Sequence, residues 1–178
     1  LDEEGNILAE DDRRRGFRIA NEMWHTDSSF MPRGAQYSLL LAKVIPSRGA
    51  DTEFADMRAA YDALSPELKL QIEDLVVEHS TFYSRSLIGF KFTAEELERR
   101  SATPQYLVQT HPSTGRKALY LASHASHVVG WPLEKGRALL RELTEHATQR
   151  KFVYTHRWRD GDFLIWDNRC TMHRATPF

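Results

Sequence analysis

The order of elements along this sequence predicts an antiparallel sheet or barrel with helices outside it, and three observations carry that expectation. Apolar runs of strand length recur at residues 36–45, 106–110, 117–121, 152–158 and 163–166. Turn-forming clusters separate several of them, among them Pro112-Ser113-Thr114-Gly115 and Arg159-Asp160-Gly161-Asp162. Helical signals are grouped between the strands instead of alternating regularly with them, which disfavours a doubly wound parallel sheet.

Residues 1–16 are polar, with Gly5-Asn6 and a charged run over 11–15, and read as a solvated loop. Over residues 36–45, Tyr37, Leu39 and Leu41 alternate with Leu40, Ala42 and Val44 in a nearly continuous apolar run ending at Pro46, as in a strand buried on both faces. Asp56 is placed to cap a helix over 57–64, and Ser65-Pro66-Glu67 sets a cap and a first-position proline for a second helix to about residue 74. Thr93-Ala94-Glu95-Glu96 is a capping box that opens a short exposed helix ending near residue 100. The runs 106–110 and 117–121 flank a turn and predict a hairpin. Ala138, Leu139, Leu140, Leu143 and Ala147 recur near helical period and predict a helix over 133–149. Residues 152–158 and 163–166 then read as two antiparallel strands about the turn at 159–162.

At 178 residues, 41% hydrophobic and 28% charged, the chain reads as one domain. Lys and Arg number 24 against 25 Asp and Glu, a net charge of -1, so there is no basic field to hold a phosphate backbone and nucleic acid is not an expected partner. The longest apolar stretches, such as Leu39-Leu40-Leu41-Ala42 and Phe163-Leu164-Ile165-Trp166, fall far short of the roughly 20 residues of a membrane helix, so no membrane is expected either. A single cysteine, Cys170, excludes an internal disulfide, and together with the lack of a charged-then-apolar leader it leads us to expect a cytoplasmic location. The chain opens on Leu1-Asp2 without an initiator Met and closes at Phe178 just after a dense motif. It therefore reads as an internal piece of a longer protein, incomplete at both termini. A homo-oligomer is compatible with these features, and nothing in them decides it.

Trp24-His25-Thr26-Asp27 puts an imidazole and a carboxylate at i and i+2, and on an extended strand both side chains leave the same face. Two nitrogens and one carboxylate on one face of an octahedral iron(II) leave three positions open. A third ligand must come from elsewhere, and His-X-Asp alone is common by chance. The segment from Trp166 to His173 lies at the end of a predicted strand, with His173 148 positions beyond His25 (173 - 25). Taken together, His25-Thr26-Asp27, Gly49-Ala50-Asp51-Thr52-Glu53-Phe54, and Trp166-Asp167-Asn168-Arg169 followed by His173 resemble the taurine dioxygenase superfamily in order and approximate spacing. Residues 24–30, 51–64, 115–117, 124–128 and 146–158 are similar to its 2,4-dichlorophenoxyacetate dioxygenases, and the likeness runs from about residue 17 to 174.

The resemblance implies a double-stranded β-helix, or jelly-roll, holding Fe(II) through His25, Asp27 and His173 as the catalytic centre. It implies 2-oxoglutarate as cosubstrate, O2 as oxidant and ascorbate as the reductant supplied in vitro. Thr52 resembles the family threonine that donates to the distal carboxylate of 2-oxoglutarate. The main partner of that carboxylate in the family is an arginine about ten residues beyond the distal histidine, which here falls past Phe178. Arg169 and Arg174 do not match its place. The substrate implied is a small anionic aromatic compound, with His111 and His127 placed near its carboxylate, Asn21 on the substrate side, and His124 a weaker match. Asp167 and Asn168 are expected to lock the turn leading to His173. The reaction implied is hydroxylation of the carbon beside an ether oxygen, giving a phenol and glyoxylate with succinate and CO2. Two alternatives stand beside it: a related dioxygenase acting on a sulfonate such as taurine or another small acid, and a non-catalytic metal-binding fragment.

Overall fold

The computed structural model of the chain describes residues 13–98 and 102–177. The loop expected over 1–16 lies largely outside these residues, but its last part is helical, since α1 spans Arg13–Glu22. The charged run hides this helix, which packs on a later segment through Gly16, where a Cβ would stand 2.7 Å from the Phe90 ring. The other helices start where capping chemistry directs them. Asp56 opens α2 (Met57–Asp62) by accepting from the backbone N–H groups of Arg58 at 3.0 Å and Ala59 at 3.3 Å. Ser65 opens α3 (Pro66–Ile72) by accepting from the Leu68 N–H at 3.2 Å, with Pro66 in the first position. A short α4 (Thr81–Ser86) follows. The capping box forms as expected at α5 (Ala94–Glu98): the Glu96 N–H donates to Thr93 Oγ1 at 3.2 Å and the Thr93 N–H donates to the Glu96 carboxylate at 2.7 Å. The expected end of α5 near residue 100 is outside the described residues. Helix α6 (Leu133–Ala147) buries Leu139, Leu140, Leu143 and Ala147 along one stripe, as the periodicity predicts.

The strands are β1 (Tyr37–Leu41), β2 (Thr52–Asp56), β3 (Val76–His79), β4 (Thr103–Tyr106), β5 (Val108–Thr110), β6 (Lys117–Leu119), β7 (Ala125–Val128), β8 (Val153–His156), β9 (Phe163–Asp167) and β10 (Thr171–Ala175). They form sheets in the orders β10-β2-β8, β4-β3-β7, β1-β9 and β5-β6, and every named pairing is antiparallel. That is the predicted class: mainly strands, with helices outside. The expected hairpin is β5–β6, with Val108 opposite Leu119 and Gly115 at φ +68 in the connecting loop.

Two further expectations need correction. The apolar run at 36–45 does form β1, but it is not buried on both faces: Leu39 is 59% and Val44 91% exposed. Among the described residues strand β1 has only β9 as a partner, and the outward row of this two-stranded ribbon carries Tyr37, Leu39, Leu41, Phe163 and Ile165, all exposed. Nor do β8 and β9 pair with each other. Strand β8 pairs with β2 and β9 with β1, and the turn between them carries the chain from one sheet to the other. The Asp162 carboxylate pins that turn, accepting from the Arg159 N–H at 2.8 Å and from His156 Nε2 at 3.0 Å. Ala42 then extends the β1 ladder onto it, accepting from the Gly161 N–H at 3.0 Å and donating to the Asp162 carbonyl at 2.8 Å. Closeness in sequence favours a hairpin here, and the demand of two apolar strands for separate sheets overrides it.

The core lies where α2 and α6 cover the sheets, around Met57, Ile72, Val77, Leu107, Leu119, Leu121, Val128, Leu143 and Met172. No helix among the described residues is long and apolar enough to cross a membrane. Helix α6 rides close on β7 because Gly136 faces it, and a Cβ at that position would lie 3.0 Å from the Val128 backbone nitrogen. Replacing Gly136 with Val should therefore destabilise the fold by on the order of 1–3 kcal/mol, read as a lower urea midpoint with an unchanged slope. A midpoint equal to wild type would show that the contact does not constrain the helix.

Candidate metal centre

His25 and Asp27 lie on a short extended segment that joins the last strand through a single bridge. The His25 N–H donates to the His173 carbonyl at 2.9 Å, and the His173 N–H donates back to the His25 carbonyl at 2.8 Å. Alternation then sorts the side chains. His25 and Asp27 leave one face, while Thr26 leaves the other and donates to the Leu121 carbonyl at 2.9 Å. His173 is the central residue of β10 and stands opposite Phe54 of β2. The three predicted metal-binding side chains thus meet, although 148 residues separate their ends (173 - 25).

His25 Nε2 lies 3.6 Å from Asp27 Oδ1 and His173 Nε2 lies 3.6 Å from Asp27 Oδ2, too far for direct hydrogen bonds. The two rings stand 4.2 Å apart, and one ligand atom from each of the three residues falls within 4.8 Å of the others. Atoms held about 2.1 Å from a common ion sit roughly 3 Å apart at right angles, so the gap is of the size a small divalent cation takes. The donor types suit iron(II) as well. Both histidines are buried, whereas the Asp27 side chain is 33% exposed, which leaves the group open on the carboxylate side. His25 Nδ1 donates to the Met23 carbonyl at 2.8 Å, and this tautomer turns the Nε2 lone pair toward Asp27. Burial, followed by the neighbouring His25, pushes the His173 imidazole down to about 3, so it stays in the neutral form that binds metals. Its Nδ1 is buried without a hydrogen-bond partner, and ring contacts with Phe54 at 6.0 Å and Trp166 at 4.8 Å set its orientation instead.

Thr52 begins β2 on the same face as Phe54. Trp158 Nε1 donates to Thr52 Oγ1 at 3.0 Å, and because an indole nitrogen can only donate, the single threonine proton stays available for an anionic oxygen. Arg174 is held by Glu53, with Nε to carboxylate at 2.8 Å.

His111 and His127 each have other side-chain partners. His111 Nε2 donates to Asp167 Oδ2 at 3.0 Å and its Nδ1 accepts from Thr114 Oγ1 at 3.2 Å, so both nitrogens are taken up in bracing the strand motif. Together with Asp167 and Cys170 it forms the second group among the described residues with metal-ligand proximity. That group is already neutralised. Arg169 forks onto Asp167 at 2.8 and 2.6 Å and, with the His111 bond, holds its carboxyl well below the usual carboxylate range. A cation would have to displace the guanidinium to bind there. His127 shares a hydrogen bond with Ser126 Oγ at 2.9 Å and lines a surface cavity with Glu78, Phe82 and Arg137, none of them a member of the triad. Asn21 is exposed on α1.

His124, the weakest match in the sequence, packs beside the triad. The His124 ring is 6.5 Å from His25 and 5.0 Å from Phe30, because the Ser123 N–H donates to the Trp24 carbonyl at 2.8 Å. Its position on a turn carries no local pattern that spacing could reveal. Ser38, which donates to Asp27 Oδ2 at 2.6 Å, had a signal: a lone aliphatic hydroxyl inside an apolar strand calls for a partner.

The family model for taurine catabolism dioxygenase TauD, TfdA family, matches residues 2–178. The chain belongs to this family. The alpha-ketoglutarate-dependent 2,4-dichlorophenoxyacetate dioxygenase of Cupriavidus pinatubonensis (strain JMP 134 / LMG 1197) is 50% identical over 178 residues, covering 98% of this chain and 61% of that protein. The (S)-phenoxypropionate/alpha-ketoglutarate-dioxygenase of Sphingobium herbicidovorans is 39% identical over 184 residues, covering 98% and 64%. The crystal structure of AAD-2 in complex with Mn(II) and N-oxalylglycine superposes with a TM-score of 0.95 at 51% identity, covering 100% of this chain and 66% of that one. The chain thus spans about three-fifths of the length of the curated relatives it matches. Its fold is the jelly-roll of the TauD/TfdA family, as the sequence motifs led us to expect.

The burial of neutral histidines has a consequence for stability. His79 is fully buried, shares a hydrogen bond with Ser29 Oγ at 2.9 Å, and is pushed down by burial to about 4. The unfolded chain takes up a proton near the ordinary value of 6.5 while the folded chain refuses it until about 4, so this stability is complete above pH 6.5 and is lost as pH falls toward 4. The metal-free protein should lose up to about 1.4 kcal/mol per pH unit for each such histidine over this window, measured by urea unfolding at pH 7, 6 and 5. His79→Gln should make the slope shallower by about one proton, and an unchanged slope would contradict the assignment.

Proposed function

We propose that the full-length protein is an Fe(II)- and 2-oxoglutarate-dependent dioxygenase that hydroxylates the carbon beside the ether oxygen of an aryloxyalkanoate such as 2,4-dichlorophenoxyacetate. The observation that carries this reading is the convergence of His25, Asp27 and His173 at 3.6 Å spacings with the carboxylate side open. Relatives named for phenoxy acids at 50% and 39% identity support the substrate class. Bound iron(II) supplies the activation of dioxygen, coupled to the oxidative decarboxylation of 2-oxoglutarate to succinate and CO2. One oxygen atom enters the substrate C–H bond, and the resulting hemiacetal collapses to a phenol and glyoxylate.

The residues of this chain serve that chemistry through geometry and charge. His25, Asp27 and His173 would hold a dipositive ion through two imidazole nitrogens and one carboxylate and would leave room for the cosubstrate and oxygen. The free proton of Thr52 is suited to the distal carboxylate of 2-oxoglutarate. Phe54 and Trp166 pack against His173 and shield that side of the centre from water. His124, kept neutral by burial at about 3, packs against the His25 side of the centre, and its Nδ1 shares a hydrogen bond with Ser84 Oγ at 2.8 Å. We place the reaction in the cytoplasm, where iron(II) and 2-oxoglutarate are both supplied.

With Fe(II), ascorbate and 2-oxoglutarate, the full-length protein should release phenol from 2,4-dichlorophenoxyacetate and form succinate in step with it. His25→Ala should lower turnover on the order of 100-fold or more, since a ligand matters at least as much as the groups that orient it. Sulfite from taurine with no phenol from any phenoxyacetate would overturn the substrate class. Full turnover by the His25→Ala protein would overturn the metal assignment.

A further inference from the structure

We propose that Ser38 is a positioning residue that holds Asp27 as a one-oxygen ligand, and that Asn168 dictates the direction of the Ser38 hydroxyl. This rests on the reading of His25, Asp27 and His173 as the metal centre. The inference starts from the β1–β9 register, which sets Ser38 opposite Trp166. The indole N–H of Trp166 can only donate, and it points at Asn168 Oδ1 at 3.1 Å. The Asp27 backbone N–H faces the same oxygen at 3.4 Å. Two donors converging on one end of the amide determine its orientation, because the flipped amide would set its own N–H groups against them. Asn168 is 1% exposed, so no solvent relieves such a clash. Its Nδ2 is therefore a donor toward Ser38 Oγ at 2.8 Å, and the one proton of Ser38 goes to Asp27 Oδ2 at 2.6 Å.

This directed chain, Trp166 to Asn168 to Ser38 to Asp27, acts on a side chain that is otherwise free to turn. Asp27 is 33% exposed, and among the described residues no other side chain donates a hydrogen bond to its carboxylate. Unrestrained, it has two ways to hold a divalent cation, through one oxygen or through both. Binding through both would fill a fourth position and leave two open, one fewer than a chelating oxo acid and dioxygen need together. A short charge-assisted bond from Ser38 occupies Oδ2 and fixes the carboxylate plane, which reserves Oδ1 for the metal. Ser38 thus preserves the third open position without touching the metal or the substrate. Its place in an apolar strand accords with this role, since the neighbouring leucines have no use for a hydroxyl.

The test uses the full-length protein without 2-oxoglutarate, with Mn(II) affinity measured by calorimetry and Co(II) binding followed by visible absorption. Ser38→Ala should weaken Mn(II) binding about 10–100-fold and change the Co(II) spectrum, beyond the lower metal-free melting temperature expected from leaving the buried Asn168 Nδ2 without its acceptor. Ser38→Thr, which keeps the hydroxyl, should restore affinity to within a few-fold. A Ser38→Ala protein with wild-type affinity and spectrum overturns the proposal, as does a Ser38→Thr protein as weak as Ser38→Ala. If wild type binds Mn(II) no better than His25→Ala, the metal reading itself has failed, and this proposal fails with it.

Discussion

The reciprocal backbone hydrogen bonds between His25 and His173, 2.9 and 2.8 Å long, are the constraint on which the rest of the site depends. They dock the segment carrying two side chains onto the strand carrying the third. From that docking the period of two does the rest: Thr26 turns into the core and Asp27 turns back beside His25. Because His173 also stands opposite Phe54, the same strand ties the centre to β2, and Thr52 follows two positions away on the same face. One bridge between distant parts of the chain therefore sets the triad and the hydroxyl suited to a cosubstrate in a common frame.

Electrostatics separates this group from its neighbour. Both clusters offer imidazole and carboxylate within binding distance, and the second adds a thiol. Around Asp167, however, the charge is already answered by Arg169 and the polar atoms by His111 and Thr114. Around Asp27 no guanidinium intervenes among the described residues, and burial holds His124 and His173 neutral, both near 3. The arrangement around Asp167 locks a strand, while that around Asp27 leaves a carboxylate beside two imidazole nitrogens, a donor set suited to a cation.

Legibility in the sequence followed the range of the interactions. Caps at Asp56, Ser65 and Thr93 and the stripe of α6 involve residues within a few positions, and each formed where expected. Strand alternation places His25 and Asp27 on one face, but that pattern is common by chance, and all of His25, Asp27, His173 and Thr52 become legible only through motifs that a family resemblance connects. Pairing across the fold was not legible. Nothing local distinguishes a turn that closes a hairpin from one that changes sheets, so β8 and β9 were misjoined. The exposure of β1 depends on what packs beyond the ribbon, which apolar content does not reveal. His111, His124 and Ser38 owe their roles to partners 56, 99 (124 - 25) and 11 positions away, chosen by topology alone. A buried hydroxyl or imidazole signals that a partner exists without naming it.

The central claim is that the metal centre is built from His25, Asp27 and His173, and X-ray absorption at the iron edge of the anaerobic Fe(II)-loaded full-length protein tests it most directly. The account predicts a first shell of nitrogen and oxygen only, with the outer-shell scattering of two imidazole rings. A sulfur scatterer in that shell would place the metal at His111, Asp167 and Cys170 instead and contradict it.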